Sequence, residues 1–394
     1  MPAPTCIVKI VPLDQTRLPV HLDGSEGSNR ASGGRSQISA NCDIDAIKAW
    51  LARFADKRTT FDSYRKEAER LLLWSVVERD RALSSLTHED LLLYQRFLAD
   101  PQPAARWVMR TGQKRSRSHS QWRPFAGPLS PASQRQAVVI LNSLFSWLVN
   151  AGYLAGNPLA LSRQRQRKSK PRITRFLDEQ MWAEVKASIE ALPRETERER
   201  AHYFRTRWLF SVLYLCGLRI SEVSSNTMGG FFVRRDRDGD ERWWLEVTGK
   251  GEKVRMVPAT SELMVELARY RRENGLPPTP TLNEPTPLLF HIGGKPRALT
   301  RGAIHLIVKE IFAKAALRVE ARGSDMYALA ELLRTGSAHW LRHTAGSRMV
   351  DQAMDLRFVR DNLGHESIST TSTYLHAEDD FRHDATERKH RIDW

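Results

Sequence analysis

The chain has 394 residues, which is long for one typical domain and predicts two domains with additional terminal segments. Its 61 Lys and Arg residues outnumber its 46 Asp and Glu residues, and the net charge of +15 favours a polyanionic partner. The sequence has no run of about 18 apolar residues, no signal-peptide pattern and only three widely spaced cysteines, so we expect a cytoplasmic protein without membrane contact or disulfides.

The first 42 residues are rich in Gly, Ser and Asn, most clearly over residues 23–34. Such a composition is typical of a segment without a packed core. We therefore predict a flexible N-terminal tail over 1–42, with one short strand at 7–11.

Residues 43–160 show the apolar periodicity of helices. Apolar side chains recur every three or four positions, and the predicted helices are 44–54, 60–79, 87–98 and 131–150. Four short helices of this kind predict a compact all-α domain.

A basic insertion interrupts the helical region at 101–130. Six Arg or Lys and no acidic residue lie between 103 and 125, with Trp107, Trp122 and Phe125 among them. A solvated basic loop is the alternative, but the uniform charge favours contact with a DNA backbone. The residues predicted to contact DNA are Arg106, Arg110, Lys114, Arg115 and Arg117.

The best candidate for a domain boundary is a basic linker at 161–172. Six of the ten residues from 163 to 172 are basic and none is acidic, so we expect the linker to lie along phosphates. The predicted contacts are Arg163, Arg165, Arg167, Lys168 and Lys170.

The C-terminal region, 173–394, combines helices with a small sheet. Alternating runs at 231–234 and 242–248, joined by an Asp-Gly turn, predict a hairpin, and 253–257 predicts a third strand. Helices are predicted at 178–191, 198–216, 260–273, 300–316, 326–334, 339–352, 356–361 and 368–378. We therefore predict that this region forms a mixed α/β domain.

Six polar residues of this region form a candidate active site. They are Arg219 in LCGLRISE, Lys250 in GKGEKVR, His339 and Arg342 in HWLRHT, His365 in LGH and Tyr374 in TYLH. Each of these residues, taken alone, has an ordinary structural explanation. Arg219, for example, could form a surface ion pair with Glu222 on one helix. Together they provide the groups needed for a tyrosine to attack a phosphodiester without a metal or other cofactor.

The ordered boxes carry a family resemblance. The C-terminal region closely resembles the tyrosine recombinases (phage integrases, Xer-like), and 60–64 and 86–91 resemble that family's core-binding domain. The likeness covers roughly 43–394. It implies a mainly α fold with a small antiparallel sheet: an N-terminal all-α core-binding (SAM-like) domain and a C-terminal α/β tyrosine recombinase catalytic domain.

The resemblance also implies a role for each box residue. Arg219 and Arg342 clamp the scissile phosphate, Lys250 is the general acid, and His339 is the general base. His365 donates to the phosphate, and Tyr374 is the nucleophile that forms a 3′-phosphotyrosyl intermediate. Glu222 would position Arg219, while His343 and His376 have no counterpart in the family and are expected to be structural.

The implied partners are double-stranded DNA, three further copies of the chain in a tetramer on paired sites, and an accessory or partner recombinase. The C-terminal segment from 375 to 394 would dock on a neighbouring subunit, and the chain length favours a mobile-element integrase that acts at a bacterial nucleoid. Two alternatives stay open: a type IB topoisomerase and a catalytically silent DNA-binding protein.

Overall fold

A computed structural model describes residues 8–32, 36–110, 115–161, 175–293 and 296–364, except for the side chain of Lys250. The chain forms two compact units, Met1–Arg167 and Lys168–Trp394, and each has its own apolar core. The finer domain limits predicted above, 43–160, 161–172 and 173–394, stay predictions. Within the described residues, no helix is both long enough and apolar enough to cross a membrane.

The first unit is helical. Its helices are α1 Val20–Asp23, α2 Asp43–Ala52, α3 Arg58–Glu78, α4 His88–Ala99, α5 Ala104–Trp107 and α6 Pro131–Asn150. Local chemistry sets the starts of two of them. Thr87 and Asp90 form a reciprocal capping box at α4, and Ser130 caps α6 just before a proline in its first turn. Trp50, Leu72 and Leu144 are fully buried between these helices.

The N-terminal segment packs against this unit, so the prediction of a flexible tail was wrong for residues 8–32 and 36–42. Leu13 is 4% exposed and belongs to the core, and its main-chain N–H donates to Glu69. A Cβ on Gly27 would lie 2.0 Å from Ser84 Oγ, so glycine here permits close packing. Composition alone could not separate this use of glycine from flexibility. Residues 8–11 form no strand.

The basic insertion is also part of the core. Trp107, Trp122 and Phe125 are buried, and the main chains of Trp107 and Phe125 are joined by a hydrogen bond of 3.1 Å. The Trp107 indole donates to Glu78 Oε1 at 2.7 Å. The aromatic residues that accompany the basic residues in the sequence therefore fix the insertion to the helices.

The second unit surrounds a three-stranded sheet with helices. Its elements are α7 Glu179–Glu190, α8 Glu197–Leu215, α9 Ile220–Ser225, β1 Phe231–Arg235, β2 Glu241–Thr248, β3 Val254–Pro258, α10 Ser261–Glu273, α11 Arg301–Glu320, α12 Tyr327–Thr335, α13 Ala338–Asp351 and α14 Leu356–Leu363. The helix predicted at 368–378 lies outside the described residues. Helix α8 contacts α7, α10 and α13.

The sheet is antiparallel with the order β1-β2-β3. Phe231 pairs with Leu245, and Leu245 pairs with Val257, so three buried side chains line one face of the sheet. The predicted fold class, mainly α with a small antiparallel sheet, is confirmed.

Helix α8 ends earlier than predicted. Gly217 has a φ of +57°, a left-handed conformation that breaks the helix. Arg219 therefore lies outside the helix of Leu213 and Leu215. It is the N-cap residue of the separate helix α9.

Candidate active site

Helix α13 carries two of the predicted site residues, His339 and Arg342, one turn apart. Arg342 is buried, and its two Nη groups donate to the carbonyl oxygens of Gly217 and Leu363. These acceptors lie in the loop after α8 and at the end of α14. A single guanidinium therefore ties three separate segments together.

Gly217 and Leu363 also touch each other directly. A Cβ on Gly217 would lie 2.5 Å from Leu363 Cδ2. The glycine thus serves two needs at once: the left-handed turn and the space for the leucine. This packing holds the turn before Arg219 against the end of α14.

Arg219 lies at the surface of the same region. Its side chain is 37% exposed, and its Nη1 donates to Glu222 Oε1 at 2.9 Å. The Arg219 main-chain N–H donates to the other carboxylate oxygen at 2.8 Å. Because Arg342 is buried and Arg219 is not, a ligand approaching from solvent reaches Arg219 first.

Glu222 is buried beneath these groups, with a side chain only 1% exposed. It accepts two hydrogen bonds from Arg255 on β3, from Nη1 at 2.8 Å and from Nη2 at 2.9 Å. Burial alone would raise the pKa of Glu222, but the hydrogen bonds and charge of Arg255, together with those of Arg219, lower it to about 2. The carboxylate is therefore charged and holds both arginines.

The hairpin between β2 and β3 carries Lys250 and is attached to α9. The Asn226 side chain donates to the Thr248 carbonyl at 3.0 Å and accepts from the Thr248 N–H at 2.9 Å. A Cβ on Gly249 would lie 3.1 Å from Glu222 Oε1. The main chain next to Lys250 is thus fixed beside Glu222, while the Lys250 side chain lies outside the described part of the structure.

His339 lies in a cationic environment. Burial lowers its pKa, and the charges of Arg342, Arg219 and Arg175 lower it further. The ring of His343 stands edge-on to it, with ring centroids 4.2 Å apart. Burial and the charges of His339, Arg342 and Arg175 lower the pKa of His343 to about 4. Both imidazoles are therefore neutral at pH 7, and a neutral His339 can accept a proton.

The structure thus brings Arg219, His339 and Arg342 into one region of the second unit. His365 and Tyr374 lie outside the described residues, although the chain is placed as far as Gly364. Sequence reasoning missed Arg255, which lies in the same box as Lys250. It also missed Asn226, for which the sequence gives no signal, because its partner Thr248 is 22 residues away.

The predicted DNA contacts of the insertion differ in their surroundings. Arg117 is held by Glu69 in a two-oxygen ion pair of 2.7 and 2.8 Å and by Asp14 at 2.8 Å, which argues against the predicted phosphate contact. Arg106 is exposed and lies 3.4 Å from Glu78. Arg110 and Arg115 line a cavity of the first unit. Residues 114, 163, 165, 167, 168 and 170 lie outside the described residues.

Comparisons with known sequences find similar proteins over most of the chain. The sequence model of the phage integrase family matches residues 184–380. The chain is 27% identical over 341 residues to the tyrosine recombinase XerD of Xanthomonas axonopodis pv. citri (strain 306), covering 84% of this chain and 92% of that protein. It is 26% identical over 247 residues to the tyrosine recombinase XerD of Lacticaseibacillus casei, covering 63% and 73%.

Solved structures share the fold at low sequence identity. The XerH site-specific recombinase bound to palindromic difH substrate, a post-cleavage complex, superposes with a TM-score of 0.57 at 16% identity, covering 93% of this chain and 92% of that chain. A lambda integrase dimer bound to a COC′ core site superposes with a TM-score of 0.51 at 14% identity, covering 85% and 77%.

Proposed function

This chain belongs to the phage integrase family of tyrosine recombinases, and from that premise we propose that it cleaves and rejoins duplex DNA through a 3′-phosphotyrosyl intermediate. The observation that supports this proposal most directly is the grouping of Arg219, His339 and Arg342. Arg342 bonds to Gly217, two residues before Arg219, and both arginines lower the pKa of His339.

In the first step, the Tyr374 hydroxyl oxygen attacks the scissile phosphorus, and His339 accepts its proton. The bond from phosphorus to the 5′ oxygen breaks, and Lys250 protonates that oxygen as it leaves. Arg219 and Arg342, with His365, stabilise the negative charge that grows on the non-bridging oxygens. Strand joining reverses these transfers, with the 5′-hydroxyl of a partner strand as nucleophile.

The linkage conserves the energy of the phosphodiester, because the bond to tyrosine replaces the bond to the 5′ oxygen. The proposed reaction accordingly requires neither ATP nor a metal ion. Loss of either Arg219 or Arg342 should slow cleavage by roughly 100-fold or more, as for other groups that stabilise a developing oxyanion.

Covalent trapping tests the chemistry. The DNA bound by the purified protein is first identified by sequencing, and a duplex of that sequence is nicked beside the scissile phosphate. Wild type should form a covalent adduct, and Tyr374→Phe should form none. Tyr327→Phe, which changes an exposed tyrosine of α12, is the matched control and should react like wild type. An adduct in Tyr374→Phe would show that another residue is the nucleophile.

A plasmid with two target sites separates recombination from the two alternatives. A recombinase yields a deletion product, whereas a type IB topoisomerase yields only relaxed topoisomers. A catalytically silent DNA-binding protein yields neither. The deletion product is the expected result.

We further propose that the enzyme acts as a tetramer on paired sites, in the bacterial cytoplasm at the nucleoid, and that it serves a mobile element, alone or with a partner recombinase. The length of the chain and the insertion at 101–130 support an element-encoded integrase. Crosslinking on paired sites should capture four subunits, and deletion of residues 380–394 should impair this assembly while DNA binding persists.

Phosphate contacts should account for most of the DNA affinity. The proposed contacts in the linker are Arg163, Arg165, Arg167, Lys168 and Lys170, and those in the insertion are Arg106, Arg110, Lys114 and Arg115. Neutralising Arg163, Arg165, Arg167 and Lys168 should weaken binding to all sequences and flatten its dependence on salt. An unchanged dependence would remove the linker from the interface.

A further inference from the structure

Residues of the basic insertion line an open cavity of about 200 Å³ in the first unit. Its cationic lining consists of Arg110, Arg115 and Arg123, with Gln121 as a further polar residue. None of the described residues that line it is acidic. Like charges that line one small space favour an anion between them.

The ion pairs of the arginines in the insertion show which of them can bind a ligand. Arg117 is held by Glu69 and Asp14. Within the residues that the structure describes, Arg110 and Arg123 form no ion pair. Arg123 Nη1 donates to the Trp122 carbonyl at 2.7 Å, which orients its guanidinium. The insertion therefore contains arginines of two kinds. Arg117 stabilises the fold, whereas Arg110 and Arg123 line the cavity.

A further part of the lining is an apolar wall formed by Ala105, Val108 and Met109. The wall is fixed to the core, because Val108 pairs with Phe125 and the Met109 N–H donates to the Phe125 carbonyl at 2.8 Å. Since a water molecule occupies about 30 Å³, the cavity has room for a group of several non-hydrogen atoms. An apolar wall suits a deoxyribose better than it suits an isolated phosphate.

We propose that this cavity binds one sugar–phosphate unit of the DNA backbone, with the phosphate between Arg110 and Arg123 and the sugar against Val108 and Met109. The planar guanidiniums match the geometry of a phosphate. This inference rests on the proposed function and deepens it, because it assigns a single phosphate position to the insertion. A free phosphate would contact the same arginines but would make no contact with the apolar wall.

The test is the salt dependence of binding to a mixed-sequence DNA duplex. The double variant Arg110→Gln/Arg123→Gln should lower the slope of log K against log salt by about 0.9, the contribution of one phosphate. The matched control is Arg334→Gln/Arg357→Gln, which removes the same charge from two arginines held by Glu320, Glu331 and Asp355. The control should keep the wild-type slope.

Labelling of Arg123 with phenylglyoxal distinguishes the two sources of phosphate. In wild type, the mixed-sequence duplex should protect Arg123 from labelling, and inorganic phosphate alone should not. Protection by inorganic phosphate with an unchanged slope would identify a site for a free anion and overturn the sugar–phosphate assignment.

The outcomes separate this inference from the proposed function. If wild type forms the covalent adduct but the double variant has the slope of the control, only the cavity assignment fails. If wild type neither binds the duplex nor forms an adduct, the proposed function fails, and the cavity assignment fails with it. Thermal melting of the double variant should match wild type, because neither substituted side chain is buried.

Discussion

Glu222 and Arg255 form a two-point ion pair that joins α9 to β3, with hydrogen bonds of 2.8 and 2.9 Å. The same carboxylate accepts from the main chain and the side chain of Arg219. One buried anion therefore fixes the arginine proposed to bind the phosphate and the hairpin that carries Lys250. Glu222 has no part in the proposed chemical steps, yet it sets the positions of Arg219 and of the hairpin that carries Lys250.

Glu222→Gln should destabilise the protein by about 3 kcal/mol, because it leaves Arg255, whose side chain is only 12% exposed, without its counter-charge. Urea unfolding measures this loss. Glu331→Gln, in an exposed pair with Arg334, is the matched control and should change stability by less than about 0.5 kcal/mol. An equal effect of the two variants would mean that the buried pair does not stabilise the fold.

The same carboxylate predicts a dependence of stability on acid. The pKa of Glu222 is about 2 in the folded protein and 4.5 is its ordinary value. A lowered folded pKa gives stability that is complete above pH 4.5 and is lost as the pH falls through 2. The difference in unfolding free energy between wild type and Glu222→Gln should therefore shrink over this range. A difference that stays constant from pH 5 to pH 2 would contradict the assignment.

The sequence predicted the parts of the site that local patterns encode. The periodicity of α13 predicted that His339 and Arg342 share a face, and the Asp-Gly turn predicted the hairpin β1–β2. The pair of Glu222 and Arg255 could not be predicted, because 33 residues separate the partners and only the fold brings them together. The alternative of a surface ion pair between Arg219 and Glu222 does not hold for Glu222, whose side chain is 1% exposed.

The first unit shows the same limit. Gly- and Ser-rich composition predicted flexibility at the N-terminus, but Gly27 allows the chain to approach Ser84 closely. The composition of the basic insertion predicts a polar segment, because charged residues dominate it. Its fully buried aromatic residues, Trp107 and Phe125, determine where it packs. In both segments, the packing of a few residues outweighed the average composition: a close backbone approach in the first and buried aromatic side chains in the second.

His343 should make stability depend on pH in a higher range. Its pKa is about 4 in the folded protein, below its ordinary value of 6.5, so its contribution is complete above pH 6.5 and is lost as the pH falls through 4. His343→Gln should flatten the stability profile between these values. His305→Gln, at an exposed position of α11, should leave the profile unchanged. A wild-type profile in His343→Gln would assign the dependence to other groups.

Gly217→Ala should destabilise the second unit and slow DNA cleavage. The substitution combines a φ of +57° with a Cβ 2.5 Å from Leu363 Cδ2, so either the turn before Arg219 or the buried Leu363 side chain must move. Gly239→Ala separates the two effects, because its φ is +90° and no atom lies within 4 Å of the added Cβ. That control should cost only the backbone strain, roughly 1–2 kcal/mol. Equal losses of stability would show that the contact with Leu363 yields without cost.

Arg117→Gln should destabilise the first unit without changing the salt dependence of DNA binding. Glu69 is 1% exposed and would stay buried with its charge no longer balanced by Arg117, and the loss of such a partner costs about 3 kcal/mol. Urea unfolding measures the loss, and Lys48→Gln, at an exposed pair with Asp45, is the control for removal of one positive charge. If Arg117→Gln were as stable as Lys48→Gln and its salt slope fell by about 0.9, Arg117 would be a phosphate contact after all. The opposite result, a less stable protein with an unchanged slope, is expected because two carboxylates already neutralise this guanidinium.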